Sequence, residues 1–407
     1  MGMGRQAWAL LTVVALLAPG CAEEAKTCDI QLGTLFSFTG NLAGIGAELR
    51  AGANLARDEI NAAGGVLGGQ TLCFIDRDEG GTVASAESAA NGFVTDGVPA
   101  VVGAFGSAFT LAATDILAPA GIVMMSPGST SPTITDYADN GYLFRTVPSD
   151  ALQGKLLAQK ALEAGFATAA VTHVTGAYGE GLAQTFQTVF EAGGGTVQIV
   201  QEYVDGQPSY TDLLSTLLAD SPDCVLMIVY PVEGAQMVRD INTNFAGADA
   251  FLYFTDPAAN QEFIDGAGGQ TAFSGAHLGT APSSTGPNYE GFATRYSAAN
   301  SGETPGIFQS NAYDAVYLLA LAIEKAGAAT GQGIRDALTD VSAGGTVFGP
   351  DEFAAARDAI AAGTDIDYQG ASGEVDLDAN GDTVAPYALW KVEGGAIEVT
   401  GTELPAD

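Results

Sequence analysis

Between Ile30 and Phe254, short apolar runs alternate with stretches in which apolar residues recur every three or four positions. This is the pattern of a parallel sheet covered on both faces by helices. The runs predict strands at 30–35, 71–76, 100–103, 122–126, 169–172, 197–203, 224–228 and 250–254. In the first intervening helix Leu49, Gly52, Ala53, Ala56 and Ile60 fall on one face, and Gly64-Gly65 ends it by supplying residues free to take positive φ. Two such alternating units follow in series, with a break at Arg145-Thr146-Val147-Pro148, before longer helices such as 309–326. A helical stretch over 350–362 leads into 373–392, which predicts a strand, a turn and a second strand. The fold class expected is α/β, with two doubly wound lobes built on parallel sheets.

Glycine-rich segments add no nucleotide chemistry. The 64–69 stretch lacks the Gly-Lys-Ser/Thr of a phosphate loop and is read as a turn. Asp376-Leu377-Asp378-Ala379-Asn380-Gly381-Asp382 begins like a calcium loop, but position twelve is Tyr387 where a bidentate Glu is needed, so a hairpin turn is expected. Neither a metal nor a cofactor is anticipated.

The 407 residues suit two domains, and with 47% hydrophobic residues each has material for a core. The formal charge of −34 arises from 48 acidic residues against only 14 Lys and Arg, although charged residues are just 15% of the chain. Such a surface repels nucleic acid and anionic lipid, so no nucleic-acid partner is expected. Residues 1–20 read as a signal peptide: Arg5, an apolar stretch from Ala7 to Ala18, then Pro19-Gly20 before Cys21. A small residue before Cys21 resembles a lipobox, which makes Cys21 a lipidated N-terminus and 21–27 a linker. Ordinary signal cleavage with Cys21 left as a loose thiol is the alternative. Tethering places the protein outside the cytoplasm, held to the membrane by its anchor alone. Cys28 precedes the first strand and Cys73 lies in the second, so neighbouring strands bring them within disulfide reach; a bridge is expected, with two free thiols the alternative. Cys224, in an apolar run, reads as a small core residue.

Candidate chemistry lies in two hydroxyl-rich loops that each follow a predicted strand, Gly103-Ala104-Phe105-Gly106-Ser107 and Ser126-Pro127-Gly128-Ser129-Thr130. Asp256 closes a third apolar run. An α-amino acid carries a carboxylate and an ammonium on one carbon, so its receptor needs converging N–H and O–H donors beside a fixed anion. Ser107 and Thr130 offer the donors and Asp256 the anion.

More of the chain carries a resemblance. Gly33 to Gly40 with Ser37 and Thr39, Asp58-Glu59-Ile60-Asn61-Ala62-Ala63-Gly64-Gly65, Asp76 to Asp78, Gly103 to Thr110 and Gly121 to Thr135 are its first part. Tyr178-Gly179-Glu180-Gly181-Leu182 and Phe254-Thr255-Asp256 complete it. In these segments the sequence resembles the leucine/isoleucine/valine-binding proteins, type I periplasmic binding proteins that serve branched-chain amino-acid ABC importers. The resemblance implies two lobes joined by a three-segment hinge, with ligand enclosed as the hinge closes. On that basis residues 28–146 with 280–368 form the N-terminal lobe, 147–279 with 369–400 the C-terminal lobe, and 401–407 a tail. It also implies that Ser107 and Thr130 meet the ligand carboxylate, that the Gly128 carbonyl and Asp256 take the ammonium, and that Tyr178 covers the ligand. Tyr230, Tyr313, Phe105 and Ile45 would line the side-chain pocket, favouring aliphatic or aromatic amino acids. The partners implied are a free amino acid and an ABC transporter permease.

Three other functions bear weighing. An enzyme lacks support: His173 and His277 are the only histidines, and no Gly-x-Ser-x-Gly surrounds Ser107. A sensor that reports its ligand to a membrane partner would use the same cleft. An importer receptor for amides, urea or aromatic acids would have no ammonium for Asp256 to pair.

Overall fold

The computed structural model describes Met1 and residues 28–406; the leader and the lipidation candidate Cys21 lie outside the described residues. The first half opens with β1 (Ile30–Phe36), β2 (Leu72–Asp78), β3 (Ala100–Gly103), β4 (Val123–Ser126) and β5 (Leu143–Arg145). These form one wholly parallel sheet in the order β2-β1-β3-β4-β5. Helices α1 (Ala43–Ala62), α2 (Val83–Asp96) and α3 (Ser107–Leu117) are its crossovers. One face of this sheet packs through Leu35, Val101 and Met124 on Phe93 and Leu117, which lie on α2 and α3. With both faces covered, its strands are apolar nearly throughout, as four consecutive buried residues in β3 and in β4 illustrate.

After β5 the chain continues into α4 (Asp150–Glu163), β6 (Thr168–Val174), α5 (Ala177–Ala192), β7 (Thr196–Tyr203), α6 (Thr211–Leu217) and β8 (Cys224–Ile228). Next come α7 (Pro231–Asn244), β9 (Phe251–Phe254), α8 (Gln261–Ala267) and β10 (His277–Pro282). It then returns to the first half with α9 (Pro287–Ala299), α10 (Gln309–Ala326) and α11 (Gly331–Ser342), followed by β11 (Thr346–Phe348), α12 (Phe353–Ala361), β12 (Ile366–Gly370) and β13 (Gly373–Glu374). Finally β14 (Tyr387–Glu393) and β15 (Ala396–Glu403) complete the second sheet, ordered β15-β14-β10-β9-β8-β6-β7. The chain thus passes between the two halves in three segments: after β5, after β10 and between β13 and β14.

Close approach of α1 to its neighbours depends on missing side chains. A Cβ on Gly46 would lie 1.8 Å from the Ser37 carbonyl oxygen, and one on Gly52 would lie 2.3 Å from that of Gln309. α10 is buried without a break from Gln309 to Ile323, so it is apolar nearly all round and forms the centre of the helical layer.

The doubly wound α/β architecture expected from the apolar pattern is the one present. Two details differ. Residues 373–392 do not form a hairpin: β13 pairs antiparallel with β12, whereas β14 pairs antiparallel with β10 and β15 in the other sheet. The Asp378–Asp382 turn between them instead closes on itself, with Asp378 N donating to Asp382 O at 2.9 Å. The C-terminal segment also carries an extra strand, since β15 runs to Glu403. Its alternation of exposed and half-buried residues marks a sheet edge.

Candidate ligand-binding site

The two hydroxyl-rich loops leave the C-terminal ends of β3 and β4, where ligands of open α/β sheets are held. They are stitched together from within. Ser126 Oγ donates to Ala104 O at 2.6 Å and accepts from Ser129 N at 2.9 Å, while Ser129 Oγ donates to Phe105 O at 3.0 Å. Gly128 passes so close to Phe105 that a Cβ there would lie 2.5 Å from the ring. Buried Arg145 donates through Nη1 to the carbonyls of Ser129 at 3.4 Å and Ser131 at 3.0 Å, so the residues on either side of Thr130 are fixed.

Ser107 is the first residue of α3 and buried; Gly106 is the cap, so the Ser107 hydroxyl is not used in capping. It accepts from Ser131 N at 3.3 Å. The hydroxyl of buried Thr130 has no hydrogen-bond partner among the described residues. A buried hydroxyl without a partner is unfavourable by roughly 1–3 kcal/mol, which a bound ligand would relieve.

Opposite these loops stand Tyr178, on the first turn of α5, Tyr230, the cap of α7, and Asp256, two residues past β9. The tyrosine rings stack at 6.0 Å between centroids. Tyr178 hydroxyl lies 2.8 Å from Thr255 Oγ1 and 3.4 Å from Asp256 Oδ1. Phe105, Gly106, Ser107 and Gly128 from one side, and Tyr178, Tyr230, Asp256 and Pro257 from the other, line a cavity of about 10 Å³. That is far below the roughly 300–1,000 Å³ of drug-sized pockets, so the two walls stand nearly in contact and must part to admit a ligand. Two hydrogen bonds bridge the sides near it, Ser131 Oγ to Ala177 O at 2.7 Å and Asn41 Nδ2 to Glu233 Oε1 at 2.5 Å. A roomier groove beside Asp76 and Arg77 is open surface whose charges pair with Arg50 and Asp96.

Burial pushes the Asp256 carboxyl up to about 6, against hydrogen bonding that favours the charged form. Beside it is a carboxylate that the sequence reading missed. Asp150, wholly buried at the start of α4, has no hydrogen-bond partner on either oxygen, and burial followed by repulsion from Asp256 raises its pKa well above the ordinary value. The Thr130 hydroxyl is near enough to ease that shift without completing a hydrogen bond. Behind Ser149, Asp150 reads in sequence as an ordinary helix start, and Ser149 does cap α4 by accepting from Ala151 N at 3.3 Å. No local signal separated it from a surface acid. Ser107 on one wall thus faces the Asp256 carboxyl on the other, with Asp150 buried beside Asp256.

Two expected pocket residues stand elsewhere. Tyr313 directs its hydroxyl to Glu59 and, at 2.8 Å, to Pro350 O, and its ring stacks on Tyr317 at 4.9 Å; it serves the helical layer because its face of α10 turns toward α1 and α9. Ile45 is buried in the α1 core and does not line the cavity. Phe308 packs edge-on against Phe105 at 5.4 Å instead, from the position preceding α10. Cys28 and Cys73 are joined as a disulfide with 5.9 Å between Cα atoms, where β1 runs beside β2. Cys224 is a free, buried thiol. No group of His, Cys, Asp and Glu among the described residues is arranged to hold a metal ion, and no described helix is long and apolar enough to cross a membrane.

Fold and cavity together define a two-lobed ligand receptor. Residues 29–396 match the family model described as periplasmic binding protein, and the chain belongs to that family. It is 33% identical over 325 residues to a Leu/Ile/Val-binding protein of Rhizobium johnstonii, covering 78% of this chain and 84% of that one. It is 32% identical over 333 residues to a leucine-, isoleucine-, valine-, threonine- and alanine-binding protein of Pseudomonas aeruginosa, covering 80% and 86%. Among solved structures it is similar to the branched-chain amino acid transporter substrate-binding protein LivJ of Streptococcus pneumoniae in complex with isoleucine. That TM-score is 0.77 with 26% identity, over 92% of this chain and 99% of that one. A solute-binding protein of R. palustris in complex with benzoate shares the fold, with a TM-score of 0.76 and 19% identity over 93% and 97% of the chains.

Proposed function

We propose that this protein is the extracytoplasmic receptor of an ABC importer and takes up a free α-amino acid with an apolar side chain between its lobes. The observation that carries this reading is the opposition of Ser107 and Gly128 to Asp256 across one small cavity, with the unpartnered Thr130 hydroxyl and Asp150 carboxyl buried nearby. The ligand carboxylate meets the Ser107 and Thr130 N–H and O–H groups, at the N-terminus of α3 where partial positive charge collects. Its ammonium lies between the Gly128 carbonyl and Asp256, and Tyr178 covers it. The side chain extends among Phe105, Tyr230 and Phe308, which bear no charge. Names of the amino-acid-binding relatives support this class of ligand. Lobes comprising residues 28–146 with 280–368, and 147–279 with 369–400, close about the three crossing segments. The closed pair presents a docking face to the permease, with Cys21 as lipid anchor.

The benzoate-bound neighbour raises a second reading, an aromatic acid. Such a ligand leaves Asp150 and Asp256 without a cation, which disfavours it. A thermal-shift screen separates the two. Leucine, isoleucine, valine or phenylalanine at a hundred times its dissociation constant should add about 2.7 kcal/mol of stability, with no rise from benzoate or urea. A rise with benzoate and none with any amino acid would overturn the proposal.

A further inference from the structure

Glu79, at the turn after β2, is wholly buried and makes no ion pair with any described residue. Its carboxyl accepts from Ser37 Oγ at 2.5 Å and from Phe105 N at 3.1 Å, and Gly106 N lies beside it. Asp78 pins the same turn by accepting from Phe38 N and Gly80 N, both at 2.8 Å. The Phe105 peptide is therefore held from both ends: Glu79 takes its N–H and Ser129 Oγ donates to its carbonyl at 3.0 Å. Phe105 and Ser107 are cavity walls, and Ser107 follows Phe105 by two residues.

We infer that Glu79 is a positioning residue for the binding site, acting through the Phe105–Ser107 loop from beneath and doing so as an uncharged acid. The inference rests on the amino-acid reading above only for the identity of the ligand. A buried carboxylate without a cation is unfavourable, whereas a protonated carboxyl can still accept the loop N–H through its carbonyl oxygen. Burial lifts the Glu79 proton to about 8, in the direction this requires. The groups that face it are Asp78 on its own strand end, Ser37 from the turn after β1, the Phe105 and Gly106 amides, and Tyr230 from α7. Asp78 and Tyr230 both resist its ionisation or are resisted by it, and no Lys or Arg among them favours it.

Ionisation has a consequence for the ligand. A negative charge under the Phe105 and Gly106 amides opposes the ligand carboxylate arriving at the adjoining Ser107. Binding therefore favours the protonated form, and affinity should fall as pH rises through the Glu79 pKa.

The test compares the full chain, its Glu79→Gln variant and its Glu79→Ala variant, with L-leucine as probe, by calorimetric titration at about pH 7 and about pH 9. Wild-type affinity should fall about fivefold or more over that interval, beyond the loss in Glu79→Gln, which carries no charge to gain. Titration of leucine itself is common to all three proteins and cancels. At about pH 7, Glu79→Gln should bind within about threefold of wild type and Glu79→Ala at least about tenfold more weakly. Amide exchange in the ligand-free proteins gives a reading independent of the probe: protection at Phe105 and Gly106 should be lost in Glu79→Ala and kept in Glu79→Gln. Wild-type protection in Glu79→Ala, or an alkaline fall in Glu79→Gln equal to that of wild type, overturns the inference. A wild-type protein that binds no amino acid refutes the receptor reading instead, and the exchange experiment still decides the role of Glu79.

Discussion

Arg145 grips Asp382 from 237 residues away, Nε to Oδ1 at 2.7 Å and Nη2 to Oδ2 at 2.6 Å, with the guanidinium fully enclosed. This two-pronged pair joins the end of β5, where the first crossing segment begins, to the third crossing segment, and Thr135 completes it by donating to Asp382 Oδ2 at 2.6 Å. The same guanidinium holds the carbonyls on either side of Thr130, so hinge and binding loop share one anchor. Removing the acid strands a buried cation, which is unfavourable by about 3–5 kcal/mol. Asp382→Ala should lower the denaturation free energy by that order, and Asp382→Asn by less because it keeps an acceptor. Chemical denaturation followed by circular dichroism measures it; an unchanged midpoint in Asp382→Ala would remove the pair from the account.

Acid should weaken ligand binding. The ammonium favours ionised Asp256, while burial holds that carboxyl up to about 6 in the ligand-free protein. Binding must then expel a proton at low pH, so affinity is full above that value and falls as pH drops through it. The expected loss is about tenfold per pH unit well below it, and steeper if Asp150 must lose a proton as well. Titrating leucine at about pH 7.5 and about pH 5 measures this directly, and equal affinity at both would contradict it.

Most of the scaffold was legible because parallel strands covered on both faces must be continuously apolar, as β8 is from Cys224 to Ile228. β5 was missed because three residues ending in Arg145 offer no apolar run, and that arginine is buried only by virtue of Asp382. The same long-range pairing explains why 373–392 was misread: its local turn chemistry is genuine, but partners in different sheets claim its two strands. In the site, Ser107, Gly128, Tyr178, Tyr230 and Asp256 line the cavity, and each sits near a strand end or helix start. Asp150, Glu79 and Phe308 also stand at helix starts or a strand end, but nothing in the sequence around them separates them from ordinary cap and turn residues. Their roles come from what lies across the fold from them.

The Cys28–Cys73 bridge closes a loop with a sequence separation of 45 along the edge of the first sheet. A loop of that size should stabilise the native state by roughly 2–4 kcal/mol through restriction of the unfolded chain. Cys28→Ser/Cys73→Ser should therefore melt several degrees lower than the oxidised protein, with leucine affinity little altered because neither residue approaches the cavity. Equal melting temperatures with and without the bridge would contradict the expected contribution.

The account stands or falls on whether a zwitterion is held at both ends, and Asp256 is where the two halves of that grip are most cleanly separated. Calorimetric titration of leucine into wild type and Asp256→Ala at neutral pH addresses it. Loss of the ammonium partner in an enclosed site is worth about 3–4 kcal/mol, so affinity should drop by about two to three orders of magnitude while the melting temperature of the ligand-free protein holds or rises. Wild-type affinity in Asp256→Ala would contradict the account.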